Sequence, residues 1–314
     1  MSVYASHGLC EGLPSGTTNG FNYTDEKELT DEMRKFWKRD WAIQVHANGN
    51  QAMNRTLGAF KTLQLERLYQ CIKTDGEKAK GNKKPLVLIH ATVGHTALSS
   101  ERPIENIKKL MVQSNINHPC FLDSSFERDG STRYFDGALD ISVSHTAAHT
   151  AYWGGAFENI LDGNAQSYTD AKYPNDPYSA FTASVVPTKT DLDNGVPLSL
   201  NSDAPITPAN PLWYVEQVVT RNTWYYPKLG DEDVLDMPGA DEQKIDVYTA
   251  LKGITIVPAQ QNQLDKHIGS IEVGKHADFV ILDGNPLQRK DANNIHKIKV
   301  LGTYIDGKEV VPFK

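Results

Sequence analysis

Four stretches of the 314-residue chain share one design: WAIQVHANG (41–49), PLVLIHATVGH (85–95), LDISVSHTAAH (139–149) and VPLSLNSDAP (196–205). In each, a short apolar run closes on a polar, ionisable residue, and a helix-like stretch follows. Runs this short and this rich in β-branched side chains read as buried strands rather than helices. Between the first two lies QAMNRTLGAFKTLQLERLYQCIK (51–73), where Met53, Leu57, Phe60, Leu68 and Cys71 recur at helical period, widened by Leu65 and Ile72. That spacing predicts an amphipathic helix. After the second run, SSERPIENIKKLMVQ (99–113) carries a helix start, with Ser99 or Ser100 as cap, Pro103 in the first turn and Glu105 near the positive end. Strands alternating with helices predict parallel β/α architecture, whose ligands sit at the carboxyl ends of the strands. His46, His90, His145 or His149, and Asp203 all stand at such ends.

The tail changes character. GSIEVGKHADFVILDGNPL (269–287) and IKVLGTYIDGKEVVPF (298–313) read as short strands joined by Gly-bearing turns at 272–275, 283–286 and 306–307. The expected division is a β/α portion over residues 1–262 and a small all-β portion over 263–314. The strand count before the tail is half that of a closed barrel, which has eight. Either further strands lie in the first forty residues or the chain holds the second half of a barrel.

Composition narrows the function. Lys and Arg number 32 against 39 Asp and Glu, a formal charge of −7, the wrong sign for a nucleic-acid surface. No apolar run approaches the roughly 18 residues of a membrane span, and the first thirty residues lack a basic start and an apolar core. A soluble, cytoplasmic protein without membrane or nucleic-acid partners is expected. Cys10, Cys71 and Cys120 are odd in number and unpatterned, which argues against a disulfide framework. No Cys-x-x-Cys pair, no Gly-x-Ser-x-Gly elbow and no phosphate-cradling Gly loop occurs.

What remains is metal chemistry. Imidazoles and a carboxylate at converging strand ends suit a divalent ion, and zinc accepts His nitrogen and Asp oxygen together. His46, His90 and Asp203 fit that description, with hydrolysis by metal-activated water as the implied reaction. Each alone has an ordinary structural reading: a lone strand-end His is commonly a satisfied core residue, and Ser202-Asp203-Ala204-Pro205 can be a turn. His145 and His149 are four apart but lack the intervening Glu of a zinc peptidase. Tyr152 and Trp153, ahead of a Gly pair, read as a pocket wall or as plain packing.

VHANGN (45–50), LIHATV (88–93), HTAYWGG (149–155), SDAPITPANPL (202–212) with Arg221 following, and GSIEVGKHADFVILDGNPL together resemble the metal-dependent amidohydrolase superfamily. The family 3 branch, which is similar to N-substituted formamide deformylases, matches in motif order from about residue 20 onward. The resemblance implies a (β/α)8 TIM-type barrel, here its C-terminal half with strands five to eight, plus part of a C-terminal β-sandwich. It implies a divalent metal, zinc before manganese or iron, and hydrolysis of a non-peptide carbon–nitrogen bond in a small amide-type substrate. His46 and His90 match the ligands of strands five and six. Asp203 matches the catalytic carboxylate that also touches metal, and His149, Tyr152, Trp153 and Arg221 fall where substrate is bordered. Two departures stand out: no His-x-His pair occurs, and the family's His-Ala-Asn-Gly-Asp is here His46-Ala47-Asn48-Gly49-Asn50. Three ligands suffice for one zinc, not for a two-metal centre. Open sheet edges would call for a separately supplied first half or a second copy of the chain. The rival reading is a catalytically inactive remnant that acts as a binding or scaffold protein.

Overall fold

A computed structural model describes residues 24–77, 90–96, 104–105, 107, 127–128, 131–132, 140–152, 185–222, 243–288 and 292–310. Helix α1 (Glu26–Trp37) starts on Asp25, whose side chain accepts from the Glu28 N–H. Glu26 and Glu28 lie in its first turn and Arg34 and Lys35 in its last, matching the helix dipole at both ends. Strand β1 (Ile43–Ala47) and helix α2 (Asn50–Glu77) follow, then β2 (His90–His95). Two-residue strands β3 (Glu127–Arg128) and β4 (Ser131–Thr132) pair antiparallel. Next come β5 (Asp140–Thr146), helix α3 (Thr188–Asp193), β6 (Leu198–Asn201) and helix α4 (Pro211–Thr220).

The strand runs meet in one four-stranded sheet of order β1-β2-β5-β6, parallel at every pairing. Register makes it two-faced. Ile43, Val45, Ala91, Val93, Ile141, Val143, Leu198 and Leu200 share one face. Gln44, His46, Thr92, Ser142, Ser144, Thr146, Ser199 and Asn201 share the other. The apolar face packs with Met33 and Trp37 of α1 and Met53, Leu57, Phe60 and Leu63 of α2 into a single core, where the Trp37 and Phe60 rings stack at 6.1 Å. Buried hydroxyls on the polar face satisfy one another: Thr92 and Ser142 at 3.1 Å, and Ser199 with Gln261 at 2.6 Å.

The α2 stripe differs in one detail from the period-based expectation. Leu63 takes the place assigned to Leu65, which is 45% exposed; Leu63 stands three residues beyond Phe60, on its ridge, while Leu65 is five away and turns outward. The side chains of Leu68, Cys71 and Ile72 lie outside the described residues. So does most of 99–113, although Ile104 and Ile107 are buried.

Helices α5 (Val247–Lys252) and α6 (Ile256–Gln261) lead to an antiparallel sheet, β7 (Phe279–Leu282), β8 (Val300–Ile305) and β9 (Lys308–Glu309). Asp306 and Gly307 form the expected two-residue hairpin, with φ of 53° and 73°. Asp283-Gly284 does not: it opens a long connection through 3₁₀ turns at Pro286–Gln288 and Ala292–Lys297. The second of these is fastened to α4, because the buried Glu216 carboxylate accepts from the His296 N–H at 2.9 Å and meets its Nδ1 at 2.6 Å. No helix among the described residues is long and apolar enough to cross a membrane.

Burial separates two leucine-like positions on α2 that the sequence alone does not. Phe60→Ala is expected to lower the unfolding free energy by about 3–5 kcal/mol, and Leu65→Ala to change it by less than about 0.5 kcal/mol. Urea unfolding followed by tryptophan fluorescence measures both, and equal losses would mean that α2 docks through a different face.

Candidate metal centre

At the carboxyl end of the parallel sheet, His95, His149 and Asp203 bring one potential ligand atom each to within 4.8 Å of the others. Three atoms no farther apart than 4.8 Å lie within about 2.8 Å of a common centre, against roughly 2.0–2.2 Å for zinc bonds to His nitrogen and carboxylate oxygen. Side-chain adjustments under an ångström would close the gap. The fit is one of chemistry too, since two imidazoles and a carboxylate serve zinc, iron or manganese.

Local backbone explains how these side chains meet. By strand alternation His95 belongs with Ala91 and Val93 on the apolar face. Instead β2 ends with two consecutive left-handed residues, His95 at φ 70° and Thr96 at φ 43°, which exchange the two side chains across the sheet. The His95 ring consequently lies on the polar side, 4.2 Å from the His46 ring and 5.9 Å from that of His149. Thr96 goes to the other side, where its hydroxyl meets Nδ1 of buried His145 at 2.5 Å. His149 sits on a helical stretch, 148–152, just past β5. Asp203 follows β6 with φ 55°, and its N–H donates to Asn201 Oδ1 at 3.1 Å. Thr207 caps the same loop by donating to the Ser202 carbonyl.

Electrostatics keep the imidazoles ready as ligands. Burial and the neighbouring His95, His145 and His46 push the His149 pKa down to about 3. Burial, with His46 close by, lowers that of His95 against an opposing pull from Asp203. Neutral rings can offer a lone pair at neutral pH without first losing a proton.

The residues singled out from sequence fare differently. Asp203 is in the cluster, and His46 stands beside it on an exposed strand position. His90 is the first residue of β2, paired with Asp140, whereas His46 pairs with Gly94. Those four steps place His90 roughly 13 Å below the cluster's level, too far for side chains that stand across the sheet. The trio His46, His90 and Asp203 is therefore not brought together. His149, expected to border substrate, stands in the cluster with one potential ligand atom. Tyr152 is half-buried with its ring edge-on to Trp213 at 5.4 Å, and Trp153 lies outside the described residues. Arg221 is 1% exposed; its guanidinium donates to the Val186 carbonyl at 2.9 Å and to that of Val185. It braces the chain entering α3. His145 bonds Asp191 at 2.5 Å, both fully buried, and burial raises the Asp191 pKa. His95 was within the run that identified His90, five residues later; a glycine before it and a strand end after it were the available signals.

Two imidazoles and a carboxylate thus gather at the carboxyl end of a parallel sheet, where β/α folds bind their ligands. The amidohydrolase family model matches residues 158–311 of this chain. The chain is 33% identical over 197 residues to N-substituted formamide deformylase of Arthrobacter pascens, a match covering 62% of this chain and 31% of that protein. It is 35% identical over 123 residues to Protein LONG AFTER FAR-RED 3 of Arabidopsis thaliana, covering 38% of this chain and 19% of that one. Among solved structures, an uncharacterized metal-dependent hydrolase of Pyrococcus horikoshii aligns with a TM-score of 0.54 at 18% identity, covering 87% of this chain and 40% of that one. That last likeness is one of fold. The chain spans less than half the length of these proteins.

The depressed His149 pKa has a consequence for folding. In the unfolded chain that ring titrates near 6.5, so between there and about pH 3 the unfolded state holds a proton that the folded state does not. Stability therefore rises with pH across that window and is lost as pH falls. With chelator present, His149→Gln is expected to flatten the slope of denaturation midpoint against pH. A slope equal to that of the unmodified chain would show that this ring is not the one held neutral.

Proposed function

We propose that this chain is the metal-binding portion of a hydrolase that cleaves non-peptide carbon–nitrogen bonds in small amide-type substrates, built on the C-terminal half of a (β/α)8 barrel with a β-sandwich portion from residue 263 onward. The observation that carries the reading is the convergence of His95, His149 and Asp203 at the carboxyl end of parallel strands, in a chain with an amidohydrolase segment. His95, His149 and Asp203 would hold one divalent cation, zinc before manganese or iron, with His46 beside it. Such a cation, when bound, acidifies water toward neutral pH and polarises a carbonyl.

The chain's own residues supply the rest. Asp203 is half-buried at the mouth of the sheet, and its left-handed backbone is held by Asn201. From there its carboxylate can take a proton from the attacking water and return it to the leaving nitrogen. Tyr152, on the helical stretch after β5 and edge-on to Trp213, forms an apolar flank on which a substrate could rest. The similarity to a formamide deformylase favours an N-substituted amide as substrate class. Because β1 and β6 are the outer strands of the described sheet, a first half-barrel or a second copy of the chain is the partner proposed to cover them.

Zinc titration of the chelator-stripped chain tests the reading. One equivalent should bind, and His95→Ala, His149→Ala and Asp203→Asn should each weaken binding by at least about 100-fold, while His90→Gln leaves it within about 3-fold. Loss through His90→Gln with none through His95→Ala would restore the sequence-derived trio. Zinc bound without hydrolysis of any N-substituted formamide, even beside a supplied first half, would favour the scaffold reading.

A further inference from the structure

The hydrogen bonds behind the cluster determine which nitrogen of His95 carries its proton. Asn201 has its amide orientation fixed twice. Its Nδ2 donates to the Ser144 carbonyl at 3.2 Å, a group that can only accept, and its Oδ1 receives the Asp203 N–H at 3.1 Å, a group that can only donate. The Thr146 hydroxyl lies 2.8 Å from that same Oδ1. Two acceptors cannot face each other at this distance without a proton between them, so the single Thr146 O–H proton goes to Asn201. Thr146 Oγ1 is also 2.6 Å from His95 Nδ1. Having donated its proton, the oxygen can only accept there, and Nδ1 must bear hydrogen.

We infer that Thr146 and Asn201 are positioning residues that hold His95 as its Nδ1–H tautomer, leaving Nε2 as its sole metal-binding nitrogen. The inference rests on the cation reading above for its purpose, but not for its logic. Asn201 Oδ1 binds both Thr146 and the Asp203 backbone, so one amide aligns an imidazole ligand and the carboxylate ligand together. Thr146 and Asn201 face each other in register on β5 and β6, which places the bracket on strands rather than on loops. Partners of this kind fix the ring of a metal-binding histidine, and losing one typically costs about 10–100-fold in metal affinity.

Histidine side-chain ¹⁵N spectra of the metal-free chain at pH 7.5, with the His95 signals assigned by their loss in His95→Gln, read the tautomer directly. The unmodified chain and Thr146→Ser should show Nδ1–H. Thr146→Val, nearly isosteric but unable to accept, should shift His95 toward Nε2–H and weaken zinc binding by about 10–100-fold. An Nε2–H ring in the unmodified chain would overturn the inference, as would Thr146→Val with unchanged tautomer and unchanged affinity. Because the spectrum is recorded without metal, failure of zinc to bind at all would end the cation reading alone, and the ring assignment would still stand or fall on its own signals.

Discussion

The left-handed exit of β2 is the constraint on which the centre depends. Non-glycine residues at positive φ cost of order 1–3 kcal/mol each, and Thr96 is β-branched, which places it among the more strained cases. Two such residues in succession, His95 and Thr96, persist only if their surroundings determine them. Each is held by a hydrogen bond across to β5, His95 through Thr146 and Thr96 through His145. Without the exchange, His95 would project into the apolar packing of α1 and α2, and the hydroxyl of Thr96 would stand where an imidazole is needed. The strain is thus the means by which an odd position on a strand reaches the even face.

That exchange works because the sheet presents two chemically distinct faces. The apolar one is closed by the Trp37 and Phe60 pair and its neighbours. On the polar one, hydroxyls and amides from adjacent strands bond to each other rather than to water, so they can be buried without the usual desolvation cost. Gln261 shows how far this extends, reaching from α6 to accept from Ser199 at 2.6 Å and to donate to the Val143 carbonyl at 2.8 Å. A polar face whose groups bond across strands is a platform on which side chains can be held at set separations.

Much of this was legible in the residues before any coordinates. The runs around 43–47, 140–146 and 198–201 are strands because short β-branched segments between helical stretches leave little alternative, and Asp306-Gly307 is a hairpin because both residues accept left-handed backbone. The place of Asp203 just past β6 was legible for the same reason: it follows a strand whose end is marked by a change from apolar to polar. The choice between His90 and His95 was not legible, because a motif gives the order of residues but not the register of the strand that bears them. His46 against Gly94 is a pairing fact, and it alone decides which histidine of the run stands at the level of the cluster. The contacts of Arg221 are likewise not written in its motif. A charged residue after a site motif invites a binding role, yet here the guanidinium bonds carbonyls at the entry to α3, and its own left-handed backbone at φ 63° ends α4.

Two polar assemblies therefore flank the end of β2, one buried and one partly exposed. His145 with Asp191 and Thr96 is sealed and fully buried, so its hydrogen bonds stabilise the strand ends without access to solvent or substrate. In the other, His95, Asn201 and Asp203 are only partly buried around the buried Thr146, and no hydrogen bond to the Asp203 carboxylate comes from among the described residues. In a site of this kind the interior assembly sets where the backbone turns and the outer one sets which atoms remain to bind. The division follows from exposure: a sealed histidine hydrogen-bonded on both nitrogens has no lone pair to offer a ligand, whereas one beside a half-buried carboxylate at the sheet's end has an opening.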